Sequence, residues 1–570
     1  MHRGDETIPG LGVLVTFEQI FSQRARHEDL KNYIARFTMA GFIGMICGIA
    51  AILHTNDEPR PFALQRRFGS EFAKSSSTAK RVLEKLRREQ DAVFVHDEQL
   101  AVLVKYALLY ARADSWPNGE AADLLMRILL VFNSLHGTEQ SKGDALERMV
   151  RLELRSTFNF TEHFGRLIRR YGAFFDWARS NEDALKSENR LDIDADFKRF
   201  TGMRYLEWAA SAFAVLSYFR QITSAKAMET TKPIMDVEGY LAPISADAQI
   251  RSWIAQNKIT IAKAIACFEQ QMGEPSYAGV SLLPFIRRPL LELKPGFVCV
   301  PYLPHLENAL GTGIFFALLD GYNKHDGKSA SDRFTRFFGE FCEDYAVELF
   351  RNGHPDPSRI FGELPYEKGK RSSDVVIFEG DSAIFVDVSS SRLNMKKTLI
   401  DLDAESVAAD IKKIVVDNAE QLDKSIRAFR EGRLAFPGID TASIKKIHPV
   451  ILTPQALPRG LAFNAKAMDE VRVRGLLTDV EPLEMMTAEE AELVCRLYAK
   501  GGTLSDLLTR KASHSHPKAR GDSIKNYLFY FEGDTLANLA LTEEYDGDKW
   551  IADILDLVKT WMDQEAAAPI

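Results

Sequence analysis

Cysteine is scarce in this chain: there are five in 570 residues, Cys47, Cys267, Cys299, Cys342 and Cys495, scattered, odd in number and never spaced C-x-x-C. That argues against a disulfide framework and against a zinc knuckle, and a reducing cytoplasm is the expected location. Two nucleotide and ester signatures are missing: no G-x-x-x-x-G-K-[ST] and no G-x-S-x-G occurs, so neither P-loop ATP hydrolysis nor esterase chemistry is expected. Net positive charge is lacking too, since 72 Lys and Arg against 80 Asp and Glu leave −8. Any nucleic-acid contact must therefore come from a local basic surface. Finally, no wholly apolar run reaches about 18 residues, and MHRGDETIPG lacks the charged-then-apolar pattern of a secretory signal. The nearest candidate, Phe37 to Leu53, is short, is bounded by Arg36 and His54, and carries Gly41, Gly44 and Gly48 at helical spacing. It is expected to be a buried core helix, not a membrane span.

What is present, 46% hydrophobic and 27% charged residues, suits an ordinary folded protein of two to four domains. Residues 17 to about 325 place apolar residues at three-to-four spacing, so an α-helical domain over 1–325, one or two subdomains, is expected. Within it, Ala79 to Asp97 pairs a basic helix with DAVFVHD; a solvated helix face explains it better than a helix-turn-helix with a wing. After Lys324 the pattern changes to a helix, short strands, a long helix and a further strand, the alternation of a mixed α/β domain over 326–480. From Thr487 a capping box to Glu490 opens a helix that stops at Gly501-Gly502, the start of a helical appendage over 481–570. His514 and His516 in HSHPKARGD lack further metal ligands and read as an exposed loop, basic through Lys511, Lys518 and Arg520.

The chemistry is concentrated in SSDVVIFEGDSAIFVDVSSS. Two β-rich runs, Asp374 to Phe378 and Ala383 to Ser389, flank Glu379-Gly380-Asp381-Ser382, a hairpin turn sequence. A hairpin symmetric about the Gly380–Asp381 bond sets Asp374 directly opposite Asp387, with Cβ atoms about 4.5–5.5 Å apart. Two like charges that close repel unless something positive lies between them, and a divalent cation with oxygen ligands meets that need. Strand alternation puts Ile384, Val386 and Val388 on an apolar face and Phe385, Asp387 and Ser389 on the other, less apolar one.

The pattern D374-x12-D387-V388-S389 resembles the PD-(D/E)XK nuclease superfamily, in which an Asp opens one strand and an Asp or Glu, any residue, then Lys lie on the next. Both acids match, and Ser389 stands where the family has its lysine. Three neighbours resemble the family's order. RFTRFFGEFCEDYAVELF is similar to the opening helix, with Gly339 and then Glu343 on the active-site side. FGELPYEKGKR places Glu363 in a strand before the hairpin and Lys368, Lys370 and Arg371 in a basic loop. The helix from Asp403 to Glu431 carries Gln421, and HPVILTP supplies a further strand. The resemblance covers about 125 residues and implies a restriction-endonuclease-like mixed sheet, joined to a large N-terminal all-α domain.

What the resemblance implies for chemistry is Mg²⁺, or Mn²⁺, held by Asp374, Asp387 and Glu343, with Glu363, Gln421 and Lys396 completing the catalytic set. Lys396, Lys397, Arg392 and Lys424 are the candidates to replace the missing lysine, because a serine hydroxyl carries no positive charge. DNA, ahead of RNA, is the implied substrate and bacterial genome defence or repair the implied setting. No membrane partner is expected, and a second copy or a partner protein is left open. The competing readings are a pseudonuclease that binds nucleic acid without cutting it, and a scaffold whose nuclease-like part serves protein contacts.

Overall fold

The computed structural model describes residues 13–55, 69–89, 92–95, 97–136, 150, 153–154, 164–180, 191–224, 231–272, 282–400, 403–454, 461–532 and 549–563. The apolar run near the start becomes helix α1 (Met39–Thr55), with Phe42, Ile43, Ile46 and Ile49 buried. Gly41 has a steric reason to be glycine: a Cβ there would lie 2.6 Å from Thr38 Oγ1 and 2.8 Å from the Trp116 ring. Among the described residues no single helix is long and apolar enough to cross a membrane; His27–Ile34 and Met39–His54 pass only as a pair bent by 107°. Helix α2 (Ser77–Arg88) is capped by the Ser76 hydroxyl, which accepts from the Ala79 N–H. It buries Ala79, Val82 and Leu86 and exposes Lys80, Arg81, Glu84, Arg87 and Arg88, which makes it an amphipathic surface helix with a basic outer face.

Helices α3 (Phe164–Ser180), α4 (Thr312–His325) and α5 (Lys328–Gly353) lead into a five-stranded sheet. Its strands are β1 (Ile360–Gly362), β2 (Val375–Glu379), β3 (Ser382–Val388), β4 (Lys446–Thr453) and β5 (Glu484–Thr487), in the order β5-β4-β3-β2-β1. The sheet is mixed, because β1, β2 and β3 pair antiparallel while β3, β4 and β5 pair parallel. Parallel pairing of β3 with β4 requires a crossover, supplied by a helical run that ends in α6 (Asp417–Arg430). Helices α7 (Ala488–Ala499) and α8 (Leu504–Ser513) follow β5, and Thr487 and Glu490 form the expected capping box of α7. A separate four-stranded sheet, Ile234–Asp236, Lys258–Thr260, Leu290–Lys294 and Phe297–Cys299, interrupts the helices of the first 325 residues. The chain is thus an α/β protein with an extensive helical region.

Both faces of the main sheet are covered, which differs from the alternation expected of β3. Ile384, Val386 and Val388 pack with Phe338, Phe341 and Val494 on one face; Ala383 and Phe385 pack with Leu422, Ile426 and Phe429 of α6 on the other. Every residue of β2 and β3 is buried, Asp387 included, so Asp387 does not sit on an open polar face. The first of these cores also draws in Phe174 of α3 and Leu504 of α8, so it contains residues from far apart in the chain.

Buried ion pairs cross that core. Arg166 of α3 donates to Glu489 Oε1 at 2.9 Å, and Lys525 Nζ donates to the same oxygen at 2.6 Å. Arg170 donates to Glu492 Oε1 at 2.8 Å, which also accepts from the Tyr345 hydroxyl at 2.9 Å. Lys511, expected on a basic surface, is instead buried and bonded to Glu484 at 2.7 Å. Removing one partner from a buried pair leaves the other charge desolvated and uncompensated. Glu489→Ala is therefore expected to lose about 3–5 kcal/mol of unfolding free energy, measured by urea denaturation. A loss under about 1 kcal/mol would show that water reaches Arg166 and Lys525.

Candidate functional site

Hairpin register decides which side chains meet. β2 and β3 pair from Val375↔Val386 to Glu379↔Ser382, closed by a two-residue turn in which Gly380 takes φ of 57°. That conformation is available to glycine without the Cβ clash that other residues suffer. One further step along the register sets Asp374 opposite Asp387, at the end of the sheet where β2 begins and β3 finishes.

The two carboxyls are in contact. Asp374 Oδ2 accepts the Val388 backbone N–H at 2.6 Å, which fixes its orientation. Asp387 is 1% exposed and accepts from the Asp374 backbone N–H, but its Oδ1 has no hydrogen-bond partner among the described residues. Burial raises the Asp374 carboxyl above the ordinary range, and a hydrogen bond from Asp387 works in the opposite direction. Asp387 is raised further, first by burial and then by Asp374, Glu343 and Glu363. Asp387 is thus the group that keeps a proton to higher pH, and that proton stands between the oxygens where a cation would relieve the repulsion.

Two more expected acids share this field. Glu343 lies on α5, and although the residue is exposed, desolvation of its carboxyl and then repulsion from Asp374 and Glu363 push it up to about 8. Glu363 sits just past the end of β1, not within it, and accepts from Arg371 Nη1 at 2.6 Å. The arrangement is graded: Asp387 is sealed, Asp374 half-buried, and Glu343 and Glu363 open to water. Gly339, one turn before Glu343, lets α5 pass close to the loop after β3, since a Cβ there would come within 3.0 Å of Ser390 Oγ.

The remaining expected residues are not gathered here. Gln421 is exposed on α6, next to the sheet-facing Leu422, and among the described contacts none joins it to the acids. Lys396 falls in the helical turn Met395–Ile400, and its side chain lies outside the described residues. Ser389 is buried and its backbone N–H donates to the Leu452 carbonyl at 2.8 Å. Lys397 and Lys424 are exposed, and Arg392 stacks on Phe315.

The cation found beside the acids is Arg371, within electrostatic reach of Glu343 as well as bonded to Glu363. The signal for it was local: Pro365–Glu367 pairs with Lys370–Arg371 across a turn in which Gly369 takes φ of 72°, which folds Arg371 back toward Glu363.

Asp374 and Asp387 offer hard oxygen donors, suited to Mg²⁺ or Mn²⁺ and not to a thiophilic metal. Among the described residues no group of three or more His, Cys, Asp and Glu converges to metal-binding geometry. A two-carboxylate site still fits Mg²⁺, which usually keeps several waters and binds one or two carboxylates. No family model, no curated protein and no solved structure matches this chain.

A carboxyl whose pKa is raised on folding stabilises the fold fully below its unfolded value, and the contribution is lost as pH rises through the folded value. For Asp387 the window opens at its ordinary 3.8 and extends to about 9, and Glu343 is raised in the same sense. In EDTA, the wild type is expected to lose stability across that window. Asp387→Asn should match it near pH 4 and exceed it by roughly 2 kcal/mol at pH 8. Parallel melting curves for the two proteins from pH 4 to 8 would show that Asp387 carries no uncompensated charge.

Proposed function

We propose that this protein is a metal-dependent phosphodiesterase of the restriction-endonuclease-like type, acting on DNA ahead of RNA. The observation that carries the reading is the sealed Asp387 carboxyl against Asp374, with an oxygen that meets no partner and no cation among the described residues paired with either aspartate. The surroundings support it: a helix bearing Glu343 precedes a mixed sheet whose hairpin carries both acids, as the PD-(D/E)XK resemblance implies. Mg²⁺ or Mn²⁺, when bound, lowers the pKa of a water and offsets charge on the phosphate.

The chain's own residues have separable tasks. Asp374, fixed by the Val388 N–H, would present its other oxygen to the ion, and Asp387, its proton released to water, would be the second anionic ligand. Glu343, whose carboxyl is raised to about 8 and is mainly protonated at neutral pH, would release that proton to water and join the pair as the third carboxylate ligand at the rim. Ser389 cannot stabilise phosphate charge, so that task passes to Arg371, whose forked guanidinium fits phosphate oxygens. Genome defence or repair in a reducing cytoplasm is the setting we propose, consistent with free cysteines throughout the described chain.

A second reading has one specific observation in its favour: Ser389 replaces the lysine and no lysine among the described residues is bonded into the acid cluster, as in a nuclease fold that binds without cutting. Plasmid and single-stranded DNA incubated with Mg²⁺ or Mn²⁺ separate the two. Cleavage by the wild type and at least about a 100-fold loss in Asp387→Ala are the expected results. Absence of cleavage with both metals, or an unaffected variant, would overturn the enzyme reading, and retained DNA binding would then favour the second.

A further inference from the structure

Arg392 is the unusual cation of this fold. It lies in the loop that leaves β3 immediately after Asp387, and its guanidinium carbon sits 3.1 Å from the centroid of the Phe315 ring, 5.3 Å from Phe338 and 5.6 Å from Phe316. All three of its nitrogens are sealed from solvent, and among the described residues none meets a partner in close hydrogen-bonding geometry. Tyr171 and Cys342 are its polar neighbours: the Tyr171 hydroxyl lies close enough to favour the charged guanidinium against the cost of burial, and the Cys342 thiol is itself held neutral by burial. A guanidinium carries five N–H donors, and leaving them unmade costs more than stacking on rings returns.

Burial alone is not the explanation, because the other deeply placed arginines of the same core are matched. Arg166 meets Glu489 and Arg170 meets Glu492, each within 2.9 Å. At both of those positions the core supplies a carboxylate. For Arg392 it supplies aromatic faces and the nearby Tyr171 hydroxyl, and among the described residues no carboxylate.

The missing partner is an anion with several acceptor oxygens, and the position says which. Arg392 is five residues from Asp387, its neighbour Cys342 precedes Glu343 on α5, and the half-buried Ser390 and Ser391 sit in the same loop. We infer that Arg392 is a phosphate-binding residue that leaves its aromatic resting place to grip a phosphodiester of the nucleic-acid strand lying over the acid cluster. Taking nucleic acid as the source rests on the phosphodiesterase reading; the phosphate site itself does not require the metal.

The test uses the full chain in EDTA, with inorganic phosphate and a single-stranded oligonucleotide as probes, on wild type, Arg392→Met and Arg392→Lys. Removing an unmatched buried charge should leave the unliganded melting temperature of Arg392→Met unchanged or higher. Its phosphate-induced rise in melting temperature should disappear, its oligonucleotide Kd should weaken at least about tenfold, and Arg392→Lys should fall between. A variant that melts several degrees lower, or fails to fold, while Arg392→Lys keeps the full phosphate response, would make the guanidinium structural and overturn the proposal. So would a wild type that phosphate does not stabilise. Phosphate stabilisation without oligonucleotide affinity would overturn the nucleic-acid source and point to a small phosphate compound. A separate Mn²⁺ titration of the wild type keeps failure of the metal reading distinguishable from failure of this one.

Discussion

Two carboxyls face each other at the end of a buried hairpin, and the cost of that arrangement organises the rest of the site. Like charges at adjacent strand positions, one of them sealed from water, are stable only when a proton or a cation lies between them. Without metal the proton is kept by Asp387, which is raised by burial and by three neighbouring acids. The stabilisation forgone in holding Asp387 there is the kind of local cost that functional sites carry and structural cores avoid.

The fold holds the pair in place through elements with ordinary reasons to form. Antiparallel β2 and β3 fix the register, the Val388 N–H fixes Asp374, and α5 and α6 cover the two faces so that the hairpin cannot slip without exposing apolar residues. Buried ion pairs from α3 to α7 then tie the helical region to the element that follows β5. The same core that matches Arg166 and Arg170 leaves Arg392 unmatched, which is why the loop after Asp387 stands out from its surroundings.

The hairpin was legible in the sequence because its signals are local: strand alternation, a Gly-Asp turn and a register fixed by symmetry. The acids Glu343 and Glu363 were legible only by their order along the chain, and the structure places both in the field of Asp374 and Asp387. What sequence could not supply depends on tertiary covering. Burial of both sheet faces, the pairing of Lys511 with Glu484 and the exposure of Gln421 are each decided by what packs opposite. Arg371 was passed over because nearness in sequence to Ser389 favoured Lys396, Lys397 and Arg392, whereas a small second hairpin carries Arg371 back to Glu363. Arg392, a candidate cation by sequence nearness, lies over the Phe315 ring and is not bonded to the acids among the described contacts.

We propose that the Asp374–Asp387 pair exchanges a proton for a divalent cation. Calorimetric titration of metal-free protein with Mn²⁺ at neutral pH, repeated in buffers of different ionisation enthalpy, reads both the binding and the protons released. The account predicts one site that releases about one proton per ion and vanishes in an Asp374→Asn, Asp387→Asn double variant. Absence of binding, or binding that releases no proton and survives in the double variant, would contradict it.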